Sequence, residues 1–225
     1  MKILVAIPCM ATIHTQFFRS VLSLQMPSGE NYTEFTMTEN SLIYDARNIM
    51  AHKAVEGGFD RVLWLDSDMV FDRDLFQRLS AWIDTGYDYV SGLYFRRNGA
   101  PYPVVYKYVG FAERNGEKIP VADPFFDYPE NELFEVAATG FGGVMMTVDL
   151  IREVKEKFGL PFSPALGFGE DLSFCQRVKQ IGKKMYCDSS IKLSHIANRL
   201  ITEETYRRYA DEQSISSGAD GTGNV

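Results

Sequence analysis

The segment Arg61-Val62-Leu63-Trp64-Leu65-Asp66-Ser67-Asp68 constrains this chain more than any other. Its apolar run, bounded by a polar turn, has the length of a strand covered on both faces. The chain passes at once from that strand into two carboxylates. In open α/β sheets, ligands bind beyond the carboxyl ends of the strands. Asp66 and Asp68 are therefore delivered to the edge where a ligand belongs. Carboxylates two apart on an extended segment point to opposite faces. In a turn they converge, or one binds a cation while the other takes a hydroxyl. Hard divalent cations take oxygen ligands, which suits Mg2+ or Mn2+. By itself the pair reads first as a solvated strand-to-helix loop, where Asp is common, and only its context favours a ligand site.

The surroundings repeat the pattern. Ile3–Pro8 is another apolar strand, and Thr15–Gln25 reads as a helix. Ser41 is positioned to cap a helix through about Glu56, closed by Gly57-Gly58, and Asp72 to cap one through about Ile83. Tyr89–Tyr94 is a third strand. Alternating strands and helices predict an α/β fold with parallel strands and crossover helices. The second half differs. Tyr102–Gly110 and Glu117–Ala122 flank Arg114-Asn115-Gly116, a hairpin signal. Asp123–Glu132 reads as an irregular loop rich in Pro, aromatic and acidic residues. Leu133–Ala138 and Gly143–Thr147 read as strands around a glycine-rich turn. Helices follow over Asp149–Phe158 and Asp171–Ile181, short strands over Lys184–Cys187 and Ile191–His195, and a polar helix over Thr202–Glu212. A single domain over 1–213 is expected, with 214–225 as a disordered tail of low apolar content.

Charge and cysteine usage narrow the function classes. The 225 residues carry 30 acidic against 23 basic side chains, a net charge of −7. Electrostatic binding of nucleic acid calls for a basic excess, so no nucleic-acid partner is expected. An anionic ligand remains open if a metal supplies positive charge. Three cysteines, Cys9, Cys175 and Cys187, are an odd and sparse set that suits a reducing compartment. No apolar run of ~18 residues exists, so no transmembrane segment is expected. The basic-then-apolar start, MKILVAIPCM, reads as a buried strand rather than an export signal. A cytoplasmic location is the resulting expectation. No Walker loop, no G-x-S-x-G and no zinc spacing is present.

Three further residues bear on the aspartate pair. Arg47, in Tyr44-Asp45-Ala46-Arg47-Asn48, reads as a structural ion-pair partner or as a ligand for phosphate or base. Glu170 and Asp171 open a helix, where acids oppose the macrodipole whatever else they do. His195 closes a strand, as a satisfied polar residue or as a ligand. In order, VAIPC, ARN, LWLDSDM and GEDLSFCQRVKQIG with a trailing histidine resemble the nucleotide-sugar-dependent glycosyltransferases of the GT-A fold. The spacing from Asp171 to His195, with Arg177 between, is similar to that of the polypeptide N-acetylgalactosaminyltransferases and their bacterial relatives. The resemblance covers Lys2 to about Ile196. It implies a GT-A type open mixed sheet flanked by helices, Rossmann-like in its N-terminal half with antiparallel additions in the second half.

The same resemblance implies roles. Ile7 and Pro8 would pass under the nucleotide base, with Arg47 near base or phosphates. Asp66, with Ser67 beside it, would meet the ribose or the metal. Asp68 would ligate the metal and His195 would be a further ligand, tilting the preference from Mg2+ toward Mn2+. Gly140-Phe141-Gly142-Gly143 would admit donor or acceptor sugar, or is a simple turn. Glu170 and Asp171 would sit at the acceptor, with Asp171 as base in an inverting transfer. The implied partners are a UDP- or GDP-linked sugar donor and an acceptor that the sequence does not name. The aromatics Trp64, Trp82, Tyr94, Tyr102 and Phe125 read as core or as sugar platforms, with core favoured for Trp64. The 102–132 hairpin and loop read as an acceptor surface or as contacts of a homo-oligomer. A nucleotidyltransferase on a similar sheet and a non-catalytic nucleotide-sugar-binding module are the competing readings. Against the first, Pro8–Gln16 holds no Gly, Lys or Arg.

Overall fold

The computed structural model describes residues 1–28, 31–39, 41–197 and 200–219, with backbone only for 213–219. The first half alternates as its apolar runs dictate. β1 (Lys2–Pro8) is followed by α1 (Thr15–Ser23), β2 (Tyr32–Thr38), α2 (Ile43–Glu56), β3 (Arg61–Leu65), the short β4 (Met69–Val70), α3 (Leu75–Asp84) and β5 (Tyr89–Leu93). The second half begins with antiparallel structure: β6 (Val105–Arg114), β7 (Glu117–Pro124), β8 (Leu133–Val136), β9 (Ala138–Thr139) and β10 (Gly143–Thr147). Then come α4 (Val148–Phe158), α5 (Glu170–Gln180), β11 (Met185–Lys192), β12 (Ser194–Ile196), β13 (Leu200–Ile201) and α6 (Glu203–Ala219).

Seven strands form one mixed sheet in the order β2-β1-β3-β10-β5-β11-β8. β1 pairs in parallel with both β2 and β3, because each connection carries a crossover helix. β10 inserts antiparallel between β3 and β5. Val62, Leu63, Trp64 and Leu65 have no accessible surface, so the strand that delivers the aspartates is fixed on both faces. One apolar layer gathers Trp64, Phe141, Phe162 and Phe174 against α2, α4 and α5. The other gathers Ile3, Val5 and Ile7 with Phe17, Leu63 and Leu79 against α1 and α3. Two small sheets, β13-β12-β4 and β7-β6-β9, flank the main one. The first pairs His195 with Met69, which brings the histidine strand beside the aspartate turn.

Several boundaries depart from the sequence expectation. Ser41 does not cap α2: Leu42 occupies the cap position, and the Ser41 hydroxyl donates to the Glu39 carbonyl. Asp72 does not cap α3 with its side chain: its carbonyl accepts from the Leu75 amide, and the helix begins after Asp74. β2 was not anticipated, although its Tyr, Phe and Thr content is that of a strand. The two short strands expected over Lys184–His195 are β11, which runs on to Lys192 through a register shift, followed by β12. The last helix continues to Ala219, so the expected tail from 214 is helical at its start, and 220–225 lie outside the described residues. The hairpin turn is as anticipated: Asn115 (φ 53°) and Gly116 (φ 79°) both take positive φ, as a type I′ turn requires. All three cysteines are free and buried. Among the described residues no helix is long and apolar enough to cross a membrane.

Candidate active site

The carboxyl ends of β1 and β3, the start of α2 and the start of α5 enclose a cleft of about 340 Å3. Pro8, Arg47, Asp66, Ser67, Asp68, Glu170 and Asp171 all line it. Residues up to 163 positions apart in sequence thus meet at the one edge that the sheet rule selects. Two expected members do not line this cleft. Ile7 is buried in the apolar layer with Phe17 and Met69, so its contribution is to carry Pro8 to the rim. His195 stands behind Asp68 and meets the cleft through that carboxylate.

Arg47 organises the acidic side. It is only 2% exposed, and its Nη2 donates to Asp66 Oδ1 at 2.7 Å while its Nε donates to Glu170 Oε1 at 3.3 Å. Its guanidinium lies 4.9 Å from the Phe141 ring centroid and 5.9 Å from that of Trp64. A buried guanidinium needs such partners, since burial opposes its charge. Those two carboxylates, with Asp171 nearby, nonetheless hold the Arg47 pKa above its ordinary value. Of the two sequence readings of Arg47, the structure displays the ion pair. The third nitrogen, Nη1, has no hydrogen-bond partner among the described residues.

Asp68 faces His195 Nε2 at 3.3 Å, and Arg97 Nη1 donates to the same Asp68 Oδ2. His195 Nδ1 lies 3.0 Å from the Phe95 carbonyl, which can only accept, so Nδ1 carries a proton. A neutral ring then turns the Nε2 lone pair toward a carboxylate, an arrangement that calls for a positive charge between or on them. Burial opposes ionisation of Asp68, but His195 and Arg97 outweigh it and hold the carboxyl below its usual range. Among the described residues no group of three or more His, Cys, Asp or Glu forms a ready cation cage. Asp68 and His195 instead fit a cation that draws its remaining oxygens from ligand and water. The carbonyl behind His195 is the outer partner that such an imidazole needs. Asp66 is turned to Arg47. Burial pushes its carboxyl up, Arg47 opposes that shift and Asp68 adds to it.

Asp171 is the second residue of α5, and its Oδ1 accepts the Leu172 amide at 2.7 Å. Gly169 keeps the space beside it, since a Cβ there would lie 3.2 Å from that oxygen. Ser173 anchors the turn from below by accepting the Ala165 amide and donating to the Phe168 carbonyl. Burial, reinforced by the Glu170 charge, pushes the Asp171 pKa up to about 6. Arg177 is on the same helix but faces away. It donates to the Pro161 carbonyl at 2.8 Å, outside the cleft.

The glycine-rich turn has a packing origin. A Cβ at Gly140 would come 2.0 Å from the Tyr94 hydroxyl, and one at Gly142 would come 2.9 Å from Tyr94 Cζ. Gly143 makes the same room for Leu193. These glycines admit side chains of the protein's own core. Tyr94 accepts the Gly142 amide at 3.3 Å and stands edge-on to His195, with ring centroids 5.6 Å apart. Trp64 is core, as favoured from sequence. Trp82 donates to Asp188 Oδ2, and Phe125 packs edge-on to Phe134. Arg97 and Ser41 were not singled out for the cleft, and Tyr94 was weighed only as core or as a sugar platform. The signal available for Arg97 was its place just after β5, whose carboxyl end shares the ligand edge.

No family model matches the chain, and no curated protein matches it in sequence. Solved structures do. The A197 protein from STIV is similar over 90% of this chain and 94% of its own, with a TM-score of 0.62 and 23% identity. GalNAc-T7, solved with UDP, GalNAc and Mn2+, is similar over 93% of this chain with a TM-score of 0.57 and 16% identity. The match spans 47% of that longer chain. Identities this low speak to the fold alone, and the fold is GT-A-like: a large central mixed sheet flanked by helices.

Proposed function

We propose that this chain is a metal-dependent glycosyltransferase. It moves a sugar from a nucleotide-diphosphate sugar to an acceptor hydroxyl, with inversion at the anomeric carbon. The observation that carries the reading is the cleft itself: Asp66, Ser67, Asp68, Glu170 and Asp171 line one space at the ligand edge of a GT-A-like sheet. The solved neighbour GalNAc-T7 holds UDP, GalNAc and Mn2+ on a similar fold.

Asp68 and His195 would hold the divalent cation, Mn2+ or Mg2+. When bound, it supplies positive charge to the leaving diphosphate as a Lewis acid. Pro8 supports the nucleoside, with Asp66 and Ser67 at the ribose. Arg47 acts at one remove: it fixes Asp66 and Glu170 in place through its two ion pairs. Glu170 binds the acceptor hydroxyl, and Asp171 takes its proton. A base with a pKa near 6 is ionised at neutral pH and still basic enough to accept a proton.

The test is turnover with a panel of UDP- and GDP-linked sugars, Mn2+ present, reading nucleoside diphosphate and pyrophosphate separately. Release of UDP or GDP supports sugar transfer. Release of pyrophosphate would replace it with nucleotidyl transfer, and release of neither would leave a binding module as the correct reading.

A further inference from the structure

Arg97 stands apart from the other charges of the cleft. It lies on the loop between β5 and β6, turned at Gly99 (φ 73°), and its side chain is 42% exposed. Arg47, by contrast, is fully buried and committed to two carboxylates. Arg97 Nη1 bonds Asp68 Oδ2, the oxygen that also faces His195 Nε2. A divalent cation joining Asp68 to His195 takes that same oxygen, where its charge repels the guanidinium. The repulsion favours displacement of Arg97, whose side chain is partly exposed. Beside the cleft lies a second cavity of about 650 Å3, lined by His14, Asn98, Pro101 and Ile201 among others. Among the described residues only Arg97 lines both spaces.

Charge says where the guanidinium goes next. The cleft is lined by Asp66, Asp68, Glu170 and Asp171 against Arg47 and Arg97. A divalent ion neutralises the excess of two negative charges. A diphosphate then brings new negative charge, and among the described lining residues Arg97 is the cation free to meet it. A guanidinium fork suits phosphate oxygens better than any other side chain.

We propose that Arg97 is an exchangeable counter-ion: it occupies Asp68 in the metal-free protein, yields that oxygen to the divalent cation, and turns onto the nucleotide diphosphate. The proposal rests on the donor reading above and adds a binding residue to it. It predicts effects of opposite sign on two ligands. In Arg97→Gln the competitor for Asp68 is gone, so Mn2+ alone binds about fivefold tighter, followed by the spin-resonance signal of free Mn2+. At saturating Mn2+, the same variant binds UDP or GDP about tenfold more weakly in calorimetry. Arg97→Lys, which keeps the charge and loses the fork, falls between.

A residue that only braces its loop moves both affinities together or neither. Unchanged or weaker Mn2+ binding in Arg97→Gln overturns the proposal, as does unchanged nucleotide binding. Mn2+ binding to the wild type without binding of either nucleotide overturns the donor reading and the diphosphate role, while the Mn2+ comparison still decides whether Arg97 competes at Asp68. No Mn2+ binding by the wild type overturns both.

Discussion

Asp171→Asn separates what the carboxylate does in chemistry from what it costs the fold. Burial raises the Asp171 pKa from an ordinary 3.8 to about 6. A carboxyl raised on folding leaves stability intact below the unfolded pKa and removes it as pH climbs through the folded one. The window is therefore about pH 4 to 6, with a plateau above. Two pKa units and a little more correspond to about 3 kcal/mol at the plateau, an upper bound because the rim is partly open to solvent. Asparagine is isosteric, and its carbonyl oxygen keeps the bond from the Leu172 amide. The variant should be more stable than wild type by about 1–3 kcal/mol at pH 8. The gap should shrink to a few tenths of a kcal/mol near pH 4. Urea unfolding at both pH values reads it directly. Turnover should be lost in the variant, while metal-dependent nucleotide binding persists. In the wild type, turnover should rise as pH passes about 6. A stability gap that does not change with pH would refute the argument that burial perturbs Asp171. Preserved turnover would refute its role as base.

Two further substitutions test the frame around the site. Arg47→Ala leaves Asp66 and Glu170 without their shared partner and opens a void against Phe141; a loss of about 3 kcal/mol or more in urea unfolding is expected, and a loss under about 1 would show the pair to be dispensable. Gly140→Ala drives a methyl into the Tyr94 hydroxyl, so about 1–3 kcal/mol should be lost, and Tyr94→Phe in the same chain should restore part of it. If the two changes simply add, the glycine turn is not there to seat Tyr94.

What the sequence disclosed follows from how local each signal is. β3 and β10 are where their apolar runs place them, because a strand buried on both faces needs no partner to be recognised. Asp66 and Asp68 were legible because they end such a strand, and Asp171 because acids mark a helix start. Helix starts at Ser41 and Asp72 were misplaced because polar residues in turns bond the backbone in more than one way. Arg97 was hidden for a different reason. Its partner Asp68 lies in the turn between β3 and β4, and only the assembled sheet edge brings them together. The purpose of Gly140 and Gly142 was hidden likewise, since it depends on the Tyr94 ring from β5's end.

The central claim is that Asp68 and His195 hold a divalent cation that in turn holds a nucleoside diphosphate. Calorimetric titration of UDP and of GDP, with Mn2+ and then with EDTA, tests it most directly, with Asp68→Asn alongside. The account predicts that one diphosphate binds with Mn2+, that EDTA abolishes the binding, and that the Asp68 variant loses it. Binding that survives EDTA or the loss of Asp68, or no binding of either diphosphate, would contradict it.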